Sequence, residues 1–423
     1  MGRFKLIFLI ALNIILFNFH IICAQQIDLS NFSPVYIGFG GRSLAMGGTS
    51  TAYANDATAI ACNPAGLAKV YKPQIAFSGR FTFGSIQPQL DQNIDNTMVI
   101  ETTSASRLTP EFASIVFPML KFNRNIVGGI AVRNMFDLSQ SIYYNIPISD
   151  QTQTKEIEHK INGDIYAFSP SIGIEISPYF SMGFSFNFLS GRDKFSYLEK
   201  TVNSNEDEFI DSTYTFENKF SGFSCDIGLT TTIFRKLSFG CVVSTPFTLK
   251  LVGITESINN QNQELGDTSL NVPMFMSIGA AYQPINRLLV AMDFRWLSWS
   301  RVGIDSSFTT IELPFNDVNT FHLGVEYLFT SKEMTFPIRI GFHTDPRINT
   351  EFNPEQSIAD SEQVRGIALS FGTGLSFSNI MFDLSVKYSF YKYKSINYLQ
   401  PEIDSWEVEE NSTNVLFSFI VKI

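Results

Sequence analysis

The sequence predicts an all-β fold, a transmembrane antiparallel β-barrel of about fourteen strands. A small helical segment at the amino-terminal end is expected to plug it from inside. Three observations predict this. The chain opens with an export-type leader and afterwards offers no stretch long enough for a spanning helix. Large apolar residues alternate with small or polar ones at period two. The connections are short on one side and long on the other.

Residues 1–24, MGRFKLIFLIALNIILFNFHIICA, have the layout of a secretory signal peptide. Arg3 and Lys5 form a basic end, an apolar run follows, and Ala24 is the expected last residue before the cut. Asn13, Asn18 and His20 interrupt the run and nothing basic follows it, which argues against a membrane anchor. His20, Ile21 and Ile22 are a poor context for lipoprotein cleavage at Cys23. No later segment has the roughly 18 consecutive apolar residues of a spanning helix.

Composition points the same way. The 423 residues carry a net charge of −10 and are only 17% charged, yet 14% aromatic with 41 Phe. An average soluble domain is roughly 25% charged. The acidic balance argues against nucleic acid as a partner, which needs a basic face. Three cysteines follow the leader, Cys62, Cys225 and Cys241. An odd count at these spacings matches neither a disulfide framework nor a zinc site. We expect no metal and no cofactor.

The alternation defines the strands. In FSMGFSFNFLS, Phe180, Met182, Phe184, Phe186 and Phe188 share one face, against Ser181, Gly183, Ser185 and Asn187. In MFDLSVKYSF, Phe382, Leu384, Val386, Tyr388 and Phe390 oppose Asp383, Ser385, Lys387 and Ser389. The chain ends with Val415, Phe417, Phe419, Val421 and Ile423 on one face, as a closing strand should. The second faces are mostly Gly, Ser, Thr and Ala with scattered charges, which suits a narrow wet lumen rather than a dry sandwich core.

Tight turns are expected near 121–124, 177–179, 235–236, 284–287, 331–335 and 377–379. Long polar loops are expected near 85–109, 137–161, 191–217, 253–270, 298–318, 346–363 and 394–412. Six short turns and seven long loops give about fourteen strands, with both termini in the periplasm. The expected organisation is a signal peptide at 1–24, a hatch segment at 25–73 and a barrel at 74–423. Lipid bilayer and lipopolysaccharide would surround the barrel as its immediate partners. The localisation that follows is the outer membrane of a Gram-negative-type cell, and we expect a monomer.

Before the first strand lies GGRSLAMGGTSTAYANDATAIACNPAGLA, built of small residues. Asn55 or Asp56 is placed to cap a turn over 57–61, and Asn63 to cap the next, with Pro64 at its first position. A fourteen-strand bore lies between barrels that side chains fill and barrels that form open channels. Small-residue turns suit a plug for it; a periplasmic tail outside the barrel is the alternative.

The same run resembles the amino-terminal hatch signature of the FadL/TodX family. Arg42, Met46, Gly47, Gly48, Asp56 and Ala57 carry the likeness, and above all Asn63, Pro64, Ala65, Gly66 and Leu67. The PorV-like component of the type IX secretion system shares a variant of the signature. The resemblance implies a hatch-plugged fourteen-stranded barrel, an apolar pocket in the lumen, and an exit through the wall near the third strand, here NIVGGIAVRNMFDL. Gly128 and Gly129 are the candidate wall kink, or glycines that fit a crowded inner face. In the third outer loop, Phe195, Tyr197, Leu198, Phe209, Ile210, Tyr214 and Phe216 are the candidate capture residues. The fourth, GITESINNQNQELGDTSL, is polar, a departure from the family pattern.

The alternation also names the polar lumen. A turn between Lys332 and Glu333 pairs Glu326 with Arg339, Gly324 with Gly341, and His322 with His343. Two histidines are too few for a metal. Arg80, Arg133, Arg295, Arg365 and Lys387 also fall on inner faces, either as structural ion pairs or as holders of a carboxylate. The expected function is passive transport of hydrophobic small-molecule cargo, long-chain fatty acids or aromatic hydrocarbons. The alternative is a PorV-like component that binds secreted proteins. No enzyme is expected: only His159, His322 and His343 follow the leader, and no G-x-S-x-G elbow exists.

Overall fold

The computed structural model describes residues 38–89, 103–121, 123–148, 153–203, 208–234, 236–258, 261–263, 267–306, 310–312, 315–348, 362–395 and 406–423. The expected signal peptide, residues 1–24, and the first part of the hatch segment lie outside the described residues.

Six hairpins of two or three loop residues organise the described chain, at the six places where tight turns are predicted. Asn123, Phe234 and Ser378 reach positive φ in three of them, at 54°, 53° and 51°. That left-handed conformation matches the twist of the strands such turns join.

Fourteen wall strands form one closed antiparallel barrel. They are β1 (Gln74–Gln89), β2 (Thr103–Lys121), β3 (Arg124–Asp137, resuming over Gln140–Ile148), β4 (Gln153–Ser177), β5 (Phe180–Asn203) and β6 (Glu208–Ile233). Next come β7 (Leu237–Ser244, resuming over Phe247–Ile258), β8 (Asp267–Val272, resuming over Phe275–Ile285), β9 (Leu288–Leu297) and β10 (Val318–Thr330). The last are β11 (Met334–Thr344), β12 (Gly366–Phe377), β13 (Ile380–Ser395) and β14 (Trp406–Lys422). Closure joins β1 to β14 from Gln74 opposite Lys422 to Gln89 opposite Glu407, so the apolar terminus is the closing strand.

The predicted outward residues are outward. Phe186, Phe188, Leu384, Val386, Tyr388, Phe419 and Val421 are exposed, while Ser185, Asn187, Ser385 and Ser418 are buried. Such a Phe-rich outer face is what hydrocarbon wets at no cost.

Several expected loops are instead strands that run on past the wall. Residues 137–161 and 191–217 are mostly β3, β4, β5 and β6, paired as far as Ile148 with Gln153 and Val202 with Glu208. Their mixed charge reads as loop in one dimension. Across strands it becomes ion pairs, Lys155 with Glu199 and Lys200 with Glu156, which hold the sheet together.

Inside, the lumen has two zones. Toward the end of the barrel where Gln74 faces Lys422 the inner faces are glycine and small polar residues. Toward the other end, from β3 to β10, they are apolar: Phe136, Ile165, Phe220, Leu249, Leu270 and Trp299 belong to one buried cluster. The expectation of a small, polar inner face is corrected for this half. In β7 the inward set changes from Val242 and Ser244 to Phe247, Leu249 and Leu251; in β8 it changes from Leu270 and Val272 to Phe275. Pro246 and Pro273 sit at the two breaks, where a residue without an N–H interrupts the ladder and resets which side chains point in.

Candidate functional site

The small-residue segment folds inside the barrel as α1 (Gly41–Ala45), α2 (Ala59–Cys62) and a 3-10 helix over Pro64–Lys69. It is too poor in large side chains to form its own core, so it is held by hydrogen bonds and close backbone approach. Asn63 is fully buried and makes three bonds. Its Oδ1 accepts from Ala65 N at 3.1 Å, the cap expected from the sequence. Its Nδ2 donates to Thr51 O at 2.7 Å and to Leu229 O on β6 at 3.1 Å. Pro64 follows at the first helical position, where the missing N–H costs nothing. Asp56 accepts from Thr58 N at 2.9 Å and so shapes the turn before α2.

The wall is cut to fit. A Cβ on Gly183 or Gly228 would overlap Asn63, Pro64 or Ala65. One on Gly324 or Gly341 would overlap Met46 or Gly47, and one on Gly173 would meet Pro64 and Leu67. The glycines of the inner face are thus the bed on which the hatch backbone lies. Gly66 is packed equally tightly, against the Ala54 carbonyl. Gly47 (φ 70°) and Gly48 (φ 85°) take a conformation open to glycine, where the chain turns away from α1.

Polar ties complete the seal. Arg42 donates to Glu326 from both Nε and Nη2, at 3.0 and 2.7 Å. Glu326 also accepts from Arg339 Nε at 2.6 Å, and Arg339 donates to Asp383 at 2.5 Å. Burial disfavours the Arg42 charge, but the Glu326 carboxylate outweighs it and holds the guanidinium above its ordinary pKa. Asp293 Oδ2 accepts from Ser50 N at 2.8 Å and Thr51 N at 3.0 Å. Arg133 donates to Ala61 O at 3.0 Å and to Asp226 at 2.6 Å, and Arg295 donates to Gly48 O. His322 Nδ1 donates to Gly47 O at 2.6 Å, and Ser370 Oγ accepts from Gly47 N at 3.0 Å.

The predicted register holds: Glu326 faces Arg339, Gly324 faces Gly341 and His322 faces His343, the two rings stacked 5.0 Å apart. Of the polar lumen residues, Arg133, Arg295, His322, Glu326 and Arg339 belong to the hatch interface or its direct supports, whereas Arg80 and His343 lie beyond it. The partner of Arg42 and the role of Asp293 were not readable, because sequence distance hides both.

The ladder runs without a shift through Gly128 and Gly129 on both sides, so no kink lies there. Gly128 faces open space, and Gly129 packs against Ile60 and Val116. The irregularity lies higher, at Asn134 to Phe136. Pairing of β2 with β3 ends at Phe112 and Arg133, leaving a seam above. Arg107 on β2 spans it, bonding Asp137 at 2.7 Å together with Ser139 and Asp164. Tyr166 donates across it to Pro110 O at 3.1 Å.

The capture residues divide. Tyr197 and Tyr214 stack 4.3 Å apart beside Phe195 and Phe216 on the inner face of the β5–β6 extension. Leu198 occupies the opposite face, and Phe209 and Ile210 stand exposed near the hairpin's end.

Between hatch and wall lies a cavity of about 50 Å³, lined by Phe39, Thr51 and Cys62 from the hatch and by Asp226, Phe275 and Arg295 from the wall. Phe275 also belongs to the apolar cluster, so the cavity sits where the polar and apolar zones meet.

Residues 5–393 match the family model described as BamG. The chain belongs to the BamG family. No curated protein matches it. This BamG-family chain is similar in fold to solved transporters. A Pseudomonas aeruginosa FadL homologue is 13% identical, covers 92% of this chain and 98% of its own, and superposes with TM-score 0.66. The toluene transporter TodX of P. putida is 14% identical over 92% of this chain and 99% of its own, with TM-score 0.60. The toluene transporter TbuX of Ralstonia pickettii is 16% identical over 92% and 99%, with TM-score 0.56. The fold that the hatch run resembles is the fold this BamG-family chain has.

Proposed function

We propose that this protein passes hydrophobic small molecules across an outer membrane, with residues 25–73 as a hatch inside the barrel 74–423 and residues 1–24 as the export signal. One observation carries the reading: an apolar half-lumen lies directly on the hatch and meets the seam between β2 and β3. Cargo would pack among Phe136, Ile165, Leu249 and Trp299. In this reading the Phe-rich outer face is set in lipid, the barrel is a monomer, and both termini are periplasmic. The similar structures are those of toluene transporters and a monoaromatic hydrocarbon channel, which supports the class of cargo. The aromatic group of Phe195, Tyr197, Tyr214 and Phe216 offers a first contact for it.

The test is accumulation of radiolabelled decanoate and toluene by cells with and without the gene, together with conductance of the purified barrel lacking residues 38–69. Slower uptake in the deletion strain and a larger conductance in the truncated barrel are expected. Unchanged uptake of both compounds would overturn the transport reading.

A second reading is a PorV-like protein that binds secreted chains. The size of the cavity favours it, since about 50 Å³ is far below the roughly 300–1,000 Å³ of a ligand pocket. Cross-linking in cells followed by purification distinguishes the two: secreted proteins recovered with an intact lumen support the second.

A further inference from the structure

At the short-turn end of the barrel, the β2–β3 turn and the foot of the hatch bring four cations together. Asn125, the second residue of β3, donates from Nδ2 to Ala68 O and to Val70 O, both at 2.8 Å, and so ties the end of the hatch to the wall. Lys121 faces Arg124 across the turn, and Leu120 faces Asn125. Lys69 and Lys72 lie within two residues of the carbonyls that Asn125 holds. Lys72 and Lys121 are exposed, and Lys69 and Arg124 are half-buried. The Lys69 and Lys72 side chains make no hydrogen bond or ion pair among the described residues.

Little acid answers them. Glu175 accepts from Asn125 N at 3.1 Å and stands 3.9 Å from Arg124. The carboxyl end at Ile423, whose N–H donates to Pro73 O at 2.8 Å, adds a second anion. The cations still outnumber the anions, in a chain of net charge −10. Other short turns differ: Pro178 and Tyr179 join β4 to β5, Ser378 and Asn379 join β12 to β13, and Lys332 after β10 is followed by Glu333. Apolar surface leads straight to the cluster. Phe117, Met119 and Lys121 are exposed on the outward face of β2, so the lipid-facing row ends in a cation. Leu120, 81% exposed, and Tyr71, 73% exposed, stand at the same point. Like charges repel when gathered, and this turn gathers them beside apolar side chains.

We infer that Lys69, Lys72, Lys121 and Arg124 bind the phosphate headgroup of an anionic phospholipid, whose acyl chain runs along Phe117 and Met119. The Arg124 guanidinium offers a fork that fits phosphate oxygens, and the lysines supply point charges around it. Tyr71 sits where an amphipathic ring meets the headgroup level. Clustered cations at a membrane surface select anionic lipid in this way. The outward face of β2 is already wetted by acyl chains, so the headgroup arrives without a separate docking step. Two of the cations belong to the hatch and two to the wall. A bound lipid therefore bridges them and adds to the tie that Asn125 makes. This rests on the reading of the barrel as set in an outer membrane, with its short turns at the phospholipid leaflet.

The experiment places the purified full-length protein in nanodiscs of phosphatidylcholine and phosphatidylglycerol in equal parts, and counts the lipids it retains by native mass spectrometry. Phosphatidylglycerol should be retained about tenfold over phosphatidylcholine, as expected for several cations near one headgroup. The double variant Lys72→Gln/Arg124→Gln should lose the preference, Lys72→Arg should keep it, and Lys332→Gln, at another turn, should leave it unchanged. Phosphatidylglycerol should also slow proteolysis within 38–73 in the parent and not in the double variant. Equal retention of the two lipids by the parent would overturn the lipid site, leave the barrel reading standing and make the patch a surface for an acidic protein. An equal loss in Lys332→Gln would mean diffuse surface charge and overturn a local site. Displacement of the lipid by glycerol 3-phosphate would make it a site for free phosphate and overturn the phospholipid. A folded protein that does not enter the nanodisc would overturn the membrane reading and this site with it.

Discussion

Arg42 of the hatch grips Glu326 of β10 through two hydrogen bonds, 3.0 and 2.7 Å long, across 284 residues of chain. Glu326 holds Arg339 as well, at 2.6 Å, so one carboxylate serves two guanidinium groups, that of Arg339 buried and that of Arg42 half-buried. Breaking such a pair from one side leaves charge stranded, at a cost of about 3–5 kcal/mol. Glu326→Gln should therefore loosen the hatch while the outer ladder still forms the barrel. Planar-bilayer recordings should show a higher conductance, and proteases should cut within 38–73. A variant with parental conductance and protease resistance would mean that the grip does not hold the hatch.

Asn63 should not tolerate its isostere, because its amide both accepts and donates. Asn63→Ala loses the cap on Ala65 N and leaves the Thr51 and Leu229 carbonyls without a donor, about 2–4 kcal/mol together. Asn63→Asp keeps the cap but turns a carboxylate oxygen toward those two carbonyls. Thermal unfolding should rank the parent above Asn63→Ala, with Asn63→Asp no better than the alanine variant. An aspartate variant as stable as the parent would show that the two carbonyl bonds contribute nothing.

The glycines make a sharper comparison. Gly128 and Gly341 both lie in regular strands, but a methyl group at Gly128 meets nothing within 4 Å, whereas one at Gly341 overlaps the hatch at Gly47. Gly128→Ala should be silent. Gly341→Ala should cost about 1–3 kcal/mol by overpacking, or displace the hatch. Sensitivity of cells to vancomycin, too large for an intact outer membrane, reads the displacement. Equal sensitivity of the two variants would argue against a hatch seated on the wall glycines.

Much of this was legible because it is local or periodic. The six turns and the outward phenylalanines follow from a period of two, and the Asn63 cap follows from its neighbour Pro64. The pairing of His322 with His343 needed only the position of one turn. The apolar half-lumen, implied by the resemblance, was not legible in the alternation, because Pro246 and Pro273 reset the inward parity of β7 and β8 partway along each strand. Strand extension over 191–217 was hidden by charges such as Glu199, whose partner Lys155 lies on a neighbouring strand. The grip of Arg42 on Glu326 and of Asp293 on Thr51 joins distant segments, and no pattern along one chain announces such contacts.

The seam between β2 and β3 supplies the last prediction. Above Phe112 and Arg133 no ladder joins the two strands, and Arg107 closes the gap with Asp137, Ser139 and Asp164. If cargo leaves through the wall, this clasp must open. Arg107→Ala should then speed uptake of decanoate or toluene, because it removes the ion pairs that clasp the seam, while Tyr166 to Pro110 is a single neutral bond. A short bismaleimide bridge between Arg107→Cys and Ser139→Cys should slow it, and should do so only when both thiols are present. Uptake that ignores both changes would place the route elsewhere, through the bore beneath a displaced hatch, and would leave the seam as an irregularity of the wall with no part in transport.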